Sequence, residues 1–329
     1  MTAGVIIAGV IVIGVIGLYS LSADKRRPKL AKENIPANLG VLSHVPIQPL
    51  IDQLNTALDD DYIQQVKQRF LKDFPNRSED EFEWLLFELK RYFIVANILK
   101  KAPMFSEDVD EIWHEMILFT KNYQAFSEKF LGKMLHHTPN TNPEPAPQER
   151  AFFDWIFSQL FEINQFSWKT WGSFFKYPME SAVLKEFKEN STEALIEKYF
   201  QRSEENKDLL EYLVNRLKKQ LSEADNMYRA NPKGSFSKQR TYGDMAPLAL
   251  GMVFFSYFYF DHYWDYMRTI AFAEAAKYTS GCTTAVFCGS ASSDDSGNHS
   301  GNCGGDSGGG DGGGSSCSSC SSCGSGCSS

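Results

Sequence analysis

The chain has 329 residues, of which 33 are basic and 41 acidic, for a formal charge of −8. That balance, with no dense arginine or lysine run in the interior, lacks the electrostatic footprint of phosphate neutralisation, so no nucleic-acid partner is expected. All seven cysteines fall between Cys282 and Cys327, so disulfides do not hold the first 281 residues together.

From Met1 to Ala23 no side chain is charged, and Val5–Leu21 is almost wholly Val, Ile, Gly, Ala and Leu. At about 1.5 Å per residue this stretch, with its neighbours, is long enough to cross a hydrocarbon layer of roughly 30 Å. It predicts an N-terminal transmembrane helix over 1–23, with the lipid bilayer as partner. Lys25, Arg26, Arg27 and Lys29 come after the apolar run, the reverse of a cleavable signal peptide. By the positive-inside rule they keep the following domain in the cytoplasm of a single-pass protein of the cell membrane.

Residues 24–46, with Pro28, Pro36 and Pro46, read as a linker that lets the domain stand off the surface. A helical domain over 47–140 follows. Its first pair of helices runs over about 47–58 and 60–72 and ends before Pro75. Ser78 and Glu81 fit a capping box. Behind them Phe82, Leu85, Leu86, Leu89, Tyr92, Phe93 and Ala96 form the broad apolar stripe of a central buried helix. Ser106 caps the next helix, which carries Glu107 and Asp108 in its first turn and then Trp113 and His114. A further helix is expected over 122–137.

The proline-rich turn from Pro139 to Pro147 leads to a second helical region over 148–278. Its aromatics from Phe152 to Tyr177 suit a core strip better than a surface on lipid headgroups. Segments 179–199 and 204–222 read as amphipathic helices that cover this core. The apolar stretch 245–260 is short for a membrane span, and Asp261, His262 and Asp265 close it. A buried or interfacial helix is favoured over a second span. Residues 279–329 form a Gly/Ser/Cys-rich tail with almost nothing to build a core. The fold class is therefore all-α: an N-terminal transmembrane helix, a multi-helix soluble domain and a disordered tail.

Two groups of residues could carry metal chemistry. Asp110 lies one helical turn before His114, so the two share a face. An antiparallel return of the chain could bring His136 or His137 to them, and these four residues together offer the mixed nitrogen and oxygen donors that zinc accepts. The structural alternative makes Trp113 core and leaves His136 and His137 as favourable charges at a helix C-terminus. In the tail, Cys317, Cys320, Cys323 and Cys327 have the spacing seen around bacterial iron–sulfur clusters. Ser328 stands where proline usually follows, however, and no apolar shell surrounds them. A flexible tether, with labile zinc or copper as the alternative, is the better reading.

The run Asp110-Glu-Ile-Trp113-His114-Glu-Met-Ile-Leu-Phe-Thr-Lys-Asn-Tyr123, with Phe126, Phe130, Gly132, His136, His137, Thr138 and Pro139, resembles the signature of the glycine-rich domain-containing protein-like family. The resemblance implies a helical domain and often a glycine-rich tail, and it names no reaction. In many relatives a second histidine follows the first by two positions, where this chain has Met116, and a cysteine often sits where it has Ser127.

The chain contains no phosphate-cradling Gly-x-x-x-x-Gly-Lys-Ser/Thr loop, no Gly-x-Ser-x-Gly elbow and no His-Glu-x-x-His motif. The sequence favours a membrane-tethered binding or scaffold module with a protein partner. The alternative is a metal-dependent or His/carboxylate hydrolase, in which His114 beside Asp110 and Glu115 acts as general base. Neither reading identifies a nucleophile or a small-molecule ligand.

Overall fold

Several helices start where a short polar side chain accepts a free backbone N–H group, as at Asp59, Ser78, Ser106, Asn164 and Ser191, and the rest of the architecture hangs on the longest apolar segment among them. The computed structural model describes residues 31–137, 146–237, 239 and 242–270, all within one compact unit. The expected anchor over 1–23 and the tail over 279–329 lie outside the described residues. Among the described residues the fold is all-α, with twelve α-helices, three short 3-10 helices and no strand. The helices are α1 (Gln48–Ala57), α2 (Asp60–Asp73), α3 (Glu79–Ile98), α4 (Glu107–Leu118), α5 (Thr120–Leu131), α6 (Pro147–Leu160), α7 (Gln165–Trp171), α8 (Ser181–Glu189), α9 (Thr192–Tyr199), α10 (Lys207–Ala230), α11 (Ala246–Phe258) and α12 (Tyr263–Ile270).

The capping box that opens α3 is formed in both directions. Glu81 N donates to Ser78 Oγ at 3.2 Å and Ser78 N to Glu81 Oε2 at 3.0 Å. Fifteen of the 20 residues of α3 are buried, so it is apolar on nearly every side and forms the central pillar rather than a surface helix. Helices α1, α2, α4, α6 and α7 pack around it. One hydrophobic core takes in Ile51, Phe93 and Trp113 from the first half and Trp155, Leu213 and Phe254 from the second. Each such side chain contributes about 1.5–3 kcal/mol by leaving water.

Two charges are buried on α3. Glu88 and Arg91 have no exposed surface. Glu88 accepts from Ser167 Oγ at 2.8 Å and from Trp171 Nε1 at 2.9 Å. Arg91 stands 3.5 Å from Glu88, donates from Nε to the Leu39 carbonyl at 2.8 Å and lies over the Phe87 ring, 4.1 Å from its centroid. A single ion pair thus ties the central helix to α7 on one side and to the N-terminal segment on the other.

Two features differ from the sequence expectation. Residues 31–46 are not a free linker: Leu42 is buried, its N–H donates to the Leu160 carbonyl at 3.0 Å, and Val41 pairs with Phe161. The prolines there mark turns between 3-10 pieces that pack on the body. Gly40 in this segment has φ +59°, and a Cβ there would run into Arg91 Nη2. Segment 179–199 is two helices, because Ser191 accepts from Ala194 N at 3.2 Å and starts a new one. Residues 245–260 contain a helix of only 13 residues, buried against α10 and α12. No helix among the described residues is long and apolar enough to cross a membrane. The aromatics of 166–177 are core, with Trp168, Trp171, Phe174 and Phe175 all buried.

Glu88→Ala would leave Arg91 buried without its counter-charge and two donors without an acceptor. Loss of one partner of such a pair costs about 3–5 kcal/mol. Chemical denaturation should show a fall in unfolding free energy of that size, well beyond the ~1 kcal/mol expected of Ser78→Ala at the α3 cap.

Candidate metal centre

Helix α4 begins where Ser106 Oγ accepts from Val109 N at 3.3 Å. Val109, Ile112, Trp113 and Met116 recur at helical spacing and are buried against the core. That commitment turns Asp110 and His114 together towards solvent, with side chains 23% and 47% exposed. Three other carboxylates of the helix are engaged elsewhere. Asp108 and Glu111 pair with Arg77 at 2.5 and 3.0 Å, and Glu115, almost buried, pairs with Arg69 at 2.6 Å. Asp110 is thus the carboxylate that faces the histidines, and Glu115 does not join it.

The second half of the site comes from the chain after α5. This helix ends at Leu131, earlier than the expected 122–137 segment, because Gly132 adopts φ +68° and stops it with a left-handed residue. The following residues return along α4. Tyr123 directs the return: Trp113 Nε1 donates to its hydroxyl at 2.9 Å, and the hydroxyl donates to the Leu135 carbonyl at 2.7 Å. Burial raises the Tyr123 pKa above its ordinary value, with the Trp113 N–H opposing, so the hydroxyl keeps the proton it donates.

With Leu135 held in this way, the His137 ring lies edge-on to Trp113, 4.5 Å between centroids. It is also 4.5 Å from the ring of His114. His137 Nε2 is 2.6 Å from Asp110 Oδ1, and His114 Nε2 is 3.7 Å from Asp110 Oδ2. One ligand atom from each of Asp110, His114 and His137 lies within 4.8 Å of the others. His136, the adjacent residue, is exposed and is not a member of this group.

The three residues suit a divalent ion. Ligand atoms at roughly 2.0–2.1 Å from a tetrahedral zinc stand about 3.4 Å apart, so an adjustment of about 1 Å, mostly in the exposed His114 side chain, would close the set. A ring nitrogen of His137 that faces Asp110 either carries a proton and donates it to the carboxylate or gives its lone pair to a metal. A metal ion held here would replace the Asp110–His137 hydrogen bond. Position 116, where relatives of the resembled family often carry histidine, faces the core: Met116 has no exposed surface, and its carbonyl accepts from Tyr62 Oη at 2.7 Å. A histidine there would not have joined His114. Ser127 is likewise fully buried.

A family model described as UCP032817-like matches residues 52–153, a span from α1 into α6 that contains the whole cluster. No curated protein and no solved structure matches the chain.

Tyr123→Phe removes the acceptor of a buried indole N–H and releases the Leu135 carbonyl. An unfolding free energy lower by about 1–3 kcal/mol is expected in chemical denaturation.

Proposed function

We propose that this chain is a membrane-tethered helical binding or scaffold protein whose body holds one divalent metal ion, with zinc the ion its donors suit best. The observation that carries the metal reading is the convergence of Asp110, His114 and His137 from two separate stretches of chain. The tether rests on the uncharged, apolar run over 1–23, and the cytoplasmic side on Lys25, Arg26, Arg27 and Lys29 behind it. The Trp113-His114 signature supports kinship with the glycine-rich domain-containing protein-like family. In keeping with a binding role, Asp110 and His114 sit on α4 and His137 on the return that Tyr123 holds through the Leu135 carbonyl.

One observation favours a second reading. Three protein ligands leave the fourth position of a tetrahedral ion free, as in hydrolytic zinc sites, whereas structural sites use four. A metal-dependent hydrolase is the corresponding alternative.

Full-length protein with its seven cysteines changed to serine separates this site from the thiolates of the tail. Elemental analysis should find about one equivalent of zinc, lost in His114→Ala and His137→Ala and retained in His136→Ala. Absence of metal from the parent protein would refute the site. For topology, protease added to intact cells should spare the body while membrane fractions retain it; digestion would reverse the orientation. Profiling against broad hydrolase substrates discriminates the two functions, since turnover abolished by His114→Ala in a folded protein would favour the enzyme.

A further inference from the structure

On another part of the body, a cleft of about 260 Å³ opens between the segment after α3, the start of α6, the start of α8 and the end of α9. Its floor is Phe152, Met179, Val183 and Tyr199. Phe152 is the ring of α6 that remains partly exposed while Phe153, Trp155 and Phe157 beside it are buried. It lies 5.4 Å from the Tyr199 ring. The rim carries Lys100, Lys101 and Lys198 against one carboxylate, Glu149, a local positive charge on a chain whose overall charge is negative.

The lysines are not equivalent. Lys101 pairs with Glu149 at 2.6 Å, and Lys198 pairs with Glu186 and lies beside the Tyr199 ring. Lys100 rests on the carbonyl of Glu197, and among the described residues no carboxylate lies within ion-pair distance of it. An ammonium has three donors, so Lys100 can take an incoming anion without breaking an existing ion pair. The floor, by contrast, offers almost no polar partner. Gln148 is already used, donating to the Pro178 carbonyl at 3.1 Å and accepting from Glu180 N at 2.7 Å. A peptide lying here would bury amide groups without partners, an unfavourable exchange. An unbranched hydrocarbon ending in one anionic group would bury none.

We propose that this cleft binds a free medium-chain fatty acid, with the tail over Phe152, Met179 and Val183 and the carboxylate at Lys100. The volume supports a medium rather than a long chain, since it lies just below the roughly 300–1,000 Å³ typical of pockets for drug-sized ligands. The site is separate from Asp110, His114 and His137 and does not depend on the metal reading.

The test uses the full chain in lipid nanodiscs with a diazirine-bearing decanoate as photolabel and mass spectrometry to map it. Labelling should be saturable and fall on the lining residues. Fatty acids should compete with roughly fourfold gain per added methylene, levelling off once the cleft is full, whereas simple partition into lipid has no such plateau. Methyl decanoate should compete at least tenfold less well than decanoate. Val183→Trp, at a half-exposed position, should abolish labelling by filling the cleft, and Lys100→Glu should weaken it at least tenfold, with unfolding midpoints unchanged in both. Labelling that persists in Val183→Trp, competition by the methyl ester equal to that of the acid, or displacement by phosphatidylglycerol but not by decanoate would each overturn the proposal.

Discussion

The structure depends on one buried ion pair, placed where an apolar helix would otherwise be uniform. Glu88 and Arg91 sit in the middle of α3 with no exposed surface, and a charge so placed is tolerated only when its remaining hydrogen-bonding capacity is met. Most of that capacity is met from far along the chain, by Leu39 before α1 and by Ser167 and Trp171 on α7, while Arg91 Nη2 is buried without a hydrogen-bond partner. Packing against an all-round apolar helix is not selective in direction. The ion pair adds direction, because its hydrogen bonds reach the N-terminal segment at Leu39 and α7 at Ser167 and Trp171. Arg150 and Asp154 repeat the device on α6. Arg150 Nε donates to Asp154 at 2.7 Å and Nη1 to the Trp171 carbonyl at 2.8 Å, while Asp154 accepts from Phe175 N at 2.8 Å. Burial raises the Asp154 carboxyl to about 6 even with Arg150 beside it. The aromatic run 166–177 is therefore pinned at several backbone points rather than merely collapsed.

Local signals carried much of this into the sequence. The Ser78–Glu81 box, the apolar stripe of α3 and the Ser106 cap are short-range patterns, and each helix starts where its cap stands. The features that escaped reading are long-range or concern termination. Glu88 and Arg91 look like solvated charges until their partners, some 50 to 80 residues away, are known. Prolines in 31–46 break regular structure, which resembles a linker in sequence, yet a segment without helices can still pack when its backbone groups find partners such as the Leu160 carbonyl.

The metal site divides in the same way. The four-residue spacing of Asp110 and His114 places both on one face of a helix, and that much is visible in sequence. Which of two adjacent histidines would join them was not, since it turns on where α5 stops and on how Tyr123 holds Leu135. Gly132 was present in the motif, but its left-handed conformation was the missing fact. A tyrosine ten residues from Trp113 with no titration role of its own proves to be what sets the register of the return.

The packing of residues 31–46 changes the mechanical picture of the proposed anchor. If everything from residue 24 to 46 were slack, the body could wander far from the bilayer. Because Leu39 is clamped by Arg91 and Trp84 Nε1 donates to the Ala31 carbonyl at 3.2 Å, the body's hold on the chain begins at residue 31, only seven residues after the proposed anchor. Seven residues reach at most about 25 Å when fully drawn out. On the proposed topology, the protein would therefore work as a short-tethered object whose orientation to the lipid surface is restricted, and any partner reaching it from the membrane would meet only a limited part of its surface.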